Sequence, residues 1–104
     1  KGDIFILSSR NEGLPLSIIE AMCAGMLIIA SDCGGVNELI KHNVNGYLFS
    51  PGNHLQLHNL IKLSLETKQK SEALSLRARA DYINTFTEKK FLINTQRVYE
   101  RFIK

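Results

Sequence analysis

The sequence predicts an α/β fold, a parallel sheet flanked by helices, from three observations. Short apolar runs rich in strand-forming residues, Ile4 to Leu7, Leu27 to Ala30 and Tyr47 to Phe49, alternate with stretches of helical pattern. Glycine-rich or Asn-Gly turns separate them, at Asp32-Cys33-Gly34-Gly35 and Asn45-Gly46. The order strand, helix, strand, helix, strand then implies parallel pairing with right-handed crossovers, because each helix must carry the chain back to the starting edge of the sheet.

The first strand, Ile4 to Leu7, empties into a loop, and a helix is predicted over Ser17 to Ala24. Gly25 ends that helix at the C′ position, where a left-handed residue is needed. The second strand leads through Gly34-Gly35 into a short helix, Val36 to Lys41, and Asn45-Gly46 turns into the third strand. Ser50-Pro51-Gly52-Asn53 breaks the chain before a helix from His54 to Thr67, whose Leu57, Leu60, Ile61 and Leu65 recur at helical spacing and predict one buried stripe. Further helices are expected over Ser71 to Asn84 and Glu88 to Ile103, the last with Phe91, Leu92, Val98, Tyr99 and Phe102 on one side. These late helices read as packing elements. The 104 residues make a single partial domain, with a βαβαβ segment over 1–53 and helices over 54–104. A core-like strand at the very start, with no initiator Met before it, reads as a segment of a longer polypeptide.

Composition narrows the function. Content of 44% hydrophobic and 22% charged residues is ordinary for a globular protein, and no run of ~18 apolar residues spans a bilayer. Cys23 and Cys33 are too few for a disulfide scaffold, and buried, reduced thiols are expected. Charge is uneven: three basic against five acidic residues up to Ile61, then ten against five from Lys62 onward. Scattered along helices, the basic residues read as a solvated surface. Contact with a membrane surface is a lesser reading, and nucleic acid is not expected, since no aromatic-basic interleaving is present. His54 and His58 have the spacing of a helical metal pair, but no nearby carboxylate or Cys completes a site, so exposed or capping histidines are expected and no metal. His42 is placed near a helix C-terminus, against its last carbonyls.

The stretch Glu12-Gly13-Leu14-Pro15-Leu16-Ser17-Ile18-Ile19-Glu20 concentrates charge, turn chemistry and a helix start. Glu12 falls where the strand empties into the loop, and Glu20 about one turn into the helix. In open α/β sheets ligands bind beyond the carboxyl ends of the strands, where loops face helix N-termini with unpaired N–H groups. A carboxylate cannot hold a phosphate, yet it accepts hydrogen bonds from two hydroxyls at once. The arrangement therefore suits a sugar phosphate or nucleotide. Glu20 and Glu38 each have a purely structural explanation as well, an acidic side chain near a helix start. Gly34-Gly35 reads equally as a close-approach site or as a plain turn. No Ser-His-Asp or Cys-His set is present, although Ser8 and Ser9 flank the strand end.

This stretch, together with Ala21-Met22, Gly25, Ile28-Ile29-Ala30-Ser31, Gly34-Gly35-Val36-Asn37-Glu38-Leu39-Ile40, Asn45-Gly46-Tyr47-Leu48-Phe49 and Pro51-Gly52, resembles the C-terminal donor-binding domain of retaining GT-B glycosyltransferases with the paired-glutamate motif. The resemblance covers Lys1 to about Asn53. It implies a Rossmann-like parallel sheet with flanking helices, part of the C-terminal domain of a GT-B fold, whose donor is a nucleotide diphosphate sugar and which needs no cofactor.

By that resemblance Glu12 approaches the hydroxyls of the donor sugar, with Gly13, Leu14, Leu16 and Ser17 offering backbone N–H groups, and Glu20 accepts from the ribose. Pro15 has no N–H to give; it fits the first turn of the helix and fixes where it begins. Neither glutamate is assigned as nucleophile or base. The implied partners are the donor, an acceptor sugar or lipid-linked glycan, and an N-terminal domain of the same polypeptide; the implied setting is polysaccharide biosynthesis in the cytoplasm, including the inner membrane face. The chain departs from the family pattern at Gly25-Met26-Leu27, where proline often enters the strand. The basic residues that neutralise the leaving diphosphate lie upstream of this segment, and Arg10 does not match their signature. A non-catalytic nucleotide or sugar-phosphate binding module, a truncated relic, and a nucleotide-sugar epimerase remain as alternatives.

Overall fold

The computed structural model describes residues 3–8 and 15–86. Its elements run β1 (Ile4–Leu7), α1 (Leu16–Ala24), β2 (Leu27–Ser31), α2 (Val36–Leu39), β3 (Tyr47–Phe49), α3 (His54–Glu66) and α4 (Lys68–Phe86). The three strands form one sheet in the order β1-β2-β3, parallel throughout, with Ile4 opposite Leu27 and Ile29 opposite Tyr47. β2 is the middle strand, and all five of its residues are buried, as a strand covered on both faces requires.

Two apolar clusters cover the two faces. On one, Ile18, Ala21 and Met22 of α1 meet Ile28, Ala30, Cys33, Val36, Ile40 and Ala78. On the other, Leu57, Leu60 and Ile61 of α3 pack against Leu27, Ile29, Tyr47, Phe49 and Leu74. The long helix α4 contributes to both, through Leu74 and then Ala78. Burying this apolar area is the main stabilising term, about 25 cal/mol per Å² removed from water.

Helix ends follow local chemistry. Pro15 is the N-cap of α1, one position before its first turn, and its carbonyl accepts from Ile18 and Ile19 N–H at 3.1 and 3.2 Å. Gly25 closes α1 at φ 77°, the left-handed position expected of it. At α3, the Asn53 side chain accepts from Gln56 N–H, while the Gln56 side chain reaches back to Ser50 N–H at 2.7 Å, a reciprocal cap of the kind that fixes a helix start.

Several expectations are corrected. α2 ends at Leu39, because Ile40 is extended and fully buried. α4 starts three residues earlier than expected, since α3 and α4 join through the single residue Thr67, with neither Gly nor Pro to mark the break. Leu65 is 60% exposed and Ser64 is buried in its place. The inward stripe is Leu57, Leu60, Ile61 and Ser64, the i, i+3, i+4, i+7 set, and position 65 has rotated off it. Cys23 is exposed and only Cys33 is buried, because Ile18 and Met22 already fill the inward face of α1. His42 does not meet helix carbonyls: its Nδ1 accepts from Leu48 N–H at 2.9 Å. The helix expected over Glu88 to Ile103 lies outside the described residues.

Candidate functional site

The carboxyl ends of the strands are at Leu7, Ser31 and Phe49, and they are tied to one another. Ser31 Oγ donates to the Leu7 carbonyl at 3.1 Å, and Asp32 N–H donates to the Phe49 carbonyl at 2.8 Å. The ends of all three strands are thereby held in fixed register before any loop begins.

α1 starts from this side of the sheet. With Ile18 and Ile19 N–H bonded to Pro15, the N–H groups of Leu16 and Ser17 are the first-turn donors without a partner among the described residues. No side chain among the described residues caps this end. On the helical wheel Glu20 falls between Leu16 and Ser17, four and three residues on, while Ile18, Ile19, Ala21 and Met22 face the core. Leu16, Ser17 and Glu20 are all half-buried, on the open face. The Glu20 carboxylate makes no ion pair or hydrogen bond among the described residues, so it is not committed to a structural partner there.

The helix start at Leu16 places Glu20 fifth in α1, beyond the first turn, which holds no acidic residue. The helix-dipole explanation for Glu20 therefore weakens, since that effect falls off within one turn. Glu12, Gly13 and Leu14 lie outside the described residues.

After β2 the chain turns at once. Gly34 has φ 46° and Gly35 is the N-cap of α2, with Val36 N–H donating to the Cys33 carbonyl at 2.9 Å. This is the geometry of a turn, and it accounts for Gly34 without a ligand. Asp32 is held outside it by Asn37 Nδ2 at 3.0 Å. Glu38, exposed in the first turn of α2, has its structural explanation intact.

The residue that sequence reasoning missed is Asn45. Only 2% exposed, its Oδ1 accepts from Lys41 N–H at 2.7 Å, and its Nδ2 donates to the Leu39 carbonyl at 3.0 Å and to Asp81 Oδ2 at 2.8 Å. Asp81 also pairs with Arg77 at 3.1 Å. The end of α2 is thus fastened to α4. Asn-Gly signalled a turn, and nothing in the local sequence points to a partner 36 residues away.

A cavity of about 420 Å³ lies elsewhere, at the starting ends of β1 and β2, bounded by Ile4, Leu27, Ser64, Lys68 and Ser71 among others. It is at the opposite end of the sheet from α1's N-terminus and carries none of the predicted site residues. His54 and His58 are exposed, and among the described residues no three His, Cys, Asp or Glu side chains gather where they would hold a metal ion. No helix among them is long and apolar enough to cross a membrane.

The fold is an α/β domain, a parallel three-stranded sheet with flanking helices, in the architecture of the GT-B glycosyltransferases. The family model for glycosyl transferases group 1 matches residues 1–81, and the chain belongs to that family. It is 33% identical over 102 residues to a Campylobacter jejuni protein, N,N'-diacetylbacillosaminyl-diphospho-undecaprenol alpha-1,3-N-acetylgalactosaminyltransferase, a match covering 98% of this chain and 27% of that one. Among solved structures it is similar to Anabaena HepE in complex with UDP, at TM-score 0.81 and 31% identity, covering 96% of this chain and 27% of the other; HepE is also known with UDP-glucose bound. A glycosyltransferase from Rickettsia africae gives TM-score 0.80 at 28% identity, covering 98% of this chain and 28% of that one. The chain spans about a quarter of the length of these relatives.

Proposed function

We propose that this chain is the donor-binding part of a longer, retaining glycosyltransferase, which moves a sugar from a nucleotide diphosphate sugar to an acceptor hydroxyl. The observation that carries the proposal is the start of α1: two N–H groups, Leu16 and Ser17, and a carboxylate, Glu20, on the same open face, all three without a partner among the described residues. Such a surface takes a ligand that is anionic at one point and rich in hydroxyls at the next. A nucleotide diphosphate sugar has both features.

In this reading the N–H groups of the loop and helix start, Gly13 and Leu14 with Leu16 and Ser17, meet the diphosphate or the sugar. Glu20 accepts from the ribose hydroxyls and Glu12 from those of the sugar. Their contribution is positioning and electrostatic stabilisation of charge that develops at the sugar and the leaving phosphate. Neither acts as a nucleophile. In glycoside hydrolases paired carboxylates flank the bond that breaks, whereas here the second sits at the ribose. The activated donor supplies the driving force, so no cofactor belongs to the scheme.

The relatives support the substrate class. HepE is seen with UDP and UDP-glucose, and the Campylobacter protein is named for transfer onto a diphospho-undecaprenol-linked sugar. A lipid-linked glycan is accordingly the proposed acceptor, at the cytoplasmic face of a membrane, with the acceptor side supplied by another domain of the polypeptide.

The test is titration of the longer protein with UDP-, GDP- and ADP-sugars, in wild type and variants. Glu20→Ala should weaken nucleotide diphosphate affinity roughly ten- to a hundredfold, the range for losing a charge-assisted hydrogen bond. Glu12→Ala should act mainly on transfer. Unchanged affinity and turnover in both variants would remove the assignment.

A further inference from the structure

The long helix α4 has two apolar faces, and the described fold covers one. Leu74, Ser75 and Ala78 are buried, with Ser71, Asp81 and Tyr82 half-buried beside them. On the opposite side Ala73, Leu76, Ala80 and Ile83 follow one another at steps of three, four and three residues, a single stripe down the helix. All four are exposed, Leu76 at 61% and Ile83 at 43%. A helix whose only task is to cover a sheet carries polar residues there. Steps of three and four are also the spacing at which two helices pack side by side, and small alanines let the helix axes come close.

The flanks of the stripe are charged, and their order selects the partner. Glu72 lies on one side, and its carboxylate has no hydrogen-bond or ion-pair partner among the described residues. Arg77 lies on the other, bonded to Asp81 Oδ1 through Nε at 3.1 Å, so its two terminal nitrogens have no partner among the described residues. In a parallel helix pair a flanking residue faces, across the seam, the opposite-flank residue five positions further along the partner helix. Glu72 and Arg77 have that spacing. The surface is therefore complementary to itself: a two-fold axis along the seam brings Glu72 of each copy against Arg77 of the other. An antiparallel pair would instead set Arg77 and Lys70 against the same cations of the second copy. Arg79, on the Glu72 side, is drawn off toward α1, where it donates to the Cys23 carbonyl at 3.1 Å.

We propose that this stripe is an interface between two copies of the polypeptide, with the α4 helices parallel across a two-fold axis and a Glu72–Arg77 pair on each side of the seam. α4 crosses the starting ends of the strands: Ser71 shares a cavity with Ile4 and Leu27, and Asp81 meets Asn45 just ahead of β3. A partner on its outer side stays clear of the start of α1. The seam runs only from Ala73 to Ile83, and a contact of that size belongs with weak, reversible dimers, at a dissociation constant of about 1 µM to 1 mM. The inference rests on α4 alone and stands whether or not a nucleotide sugar binds at α1.

The experiment is sedimentation equilibrium of the longer protein across that concentration range, where the mass should double as concentration rises. Leu76→Asp, at an exposed position, should leave the melting temperature of the dilute protein in place and raise the dissociation constant roughly tenfold or more. Glu72→Arg sets cation against cation and should raise it roughly three- to tenfold, and adding Arg77→Glu should bring it back toward wild type. A monomer throughout the range overturns the proposal, as does a dimer indifferent to Leu76→Asp. A folded, doubly reversed protein that dimerises no better than Glu72→Arg overturns the parallel pairing. Leu76→Cys that is shielded from a maleimide at dilutions where the protein is a monomer assigns the stripe to another segment of the polypeptide and overturns the second copy.

Discussion

Gly25 and Gly46 look alike in the sequence, each closing a segment, but they are glycine for different reasons. Gly25 needs its φ of 77°, and a Cβ there would meet nothing within 4 Å. Gly46 would place a Cβ 2.9 Å from the Ile28 backbone oxygen and 3.0 Å from Ile40 Cγ2, so its reason is close approach. The first was legible from helix-ending chemistry and the second was not, since it depends on a strand 18 residues earlier. Gly46→Ala should therefore cost about 1–3 kcal/mol through overpacking against a backbone atom that cannot swing away. Gly25→Ala should cost about 1 kcal/mol from backbone strain alone. Denaturant midpoints of the two variants check the order. Asn45 makes a related point: its turn role was readable, its three buried hydrogen bonds were not. Asn45→Ala strands the Leu39 carbonyl and an Asp81 oxygen, and a loss of about 1–3 kcal/mol in urea unfolding is expected.

At the scale of elements, period and punctuation carried most of the information. All three strands and α1 were readable because apolar runs are bounded by Gly, Asn, Asp, Ser or Pro, whose turn preferences are strong. α3 was readable at its start, where Asn53 caps it, and less so at its end, where Thr67 alone separates it from α4. The stripe on α3 was read one residue too far, to Leu65, because spacing by itself does not say how wide a face the sheet covers. Leu65→Lys should change stability by less than about 0.5 kcal/mol. Ile61→Ala, on the covered face, should cost about 1–2 kcal/mol, the lower part of the large-to-small range for a half-buried site. Thermal melts of both variants separate the two faces. The start of α1, where the ligand is proposed to bind, was legible for the same reason as its core: Pro15 fixes where the helix begins, and that fixes which N–H groups have no carbonyl behind them.

At the scale of the whole molecule, the parallel sheet makes one end of the domain chemically distinct. Every strand delivers its chain to the same edge, and α1 and α2 both begin there, so loops and helix N-termini converge without any special sequence signal. What the sequence could not supply was which apolar face of α4 the sheet covers, since spacing alone does not choose between two stripes on one helix. The chain spans about a quarter of its relatives, and purified 104-residue material should form no glycosyl-transfer product from donor and acceptor. The most direct measurement for the account as a whole is a map of backbone amide shifts in the longer protein as UDP is added. Leu16, Ser17 and Glu20 should move together and saturate with one dissociation constant, while Ser64 and Ser71 at the far cavity stay in place. Shifts confined to Ser64 and Ser71, with the start of α1 unmoved at saturation, would contradict it.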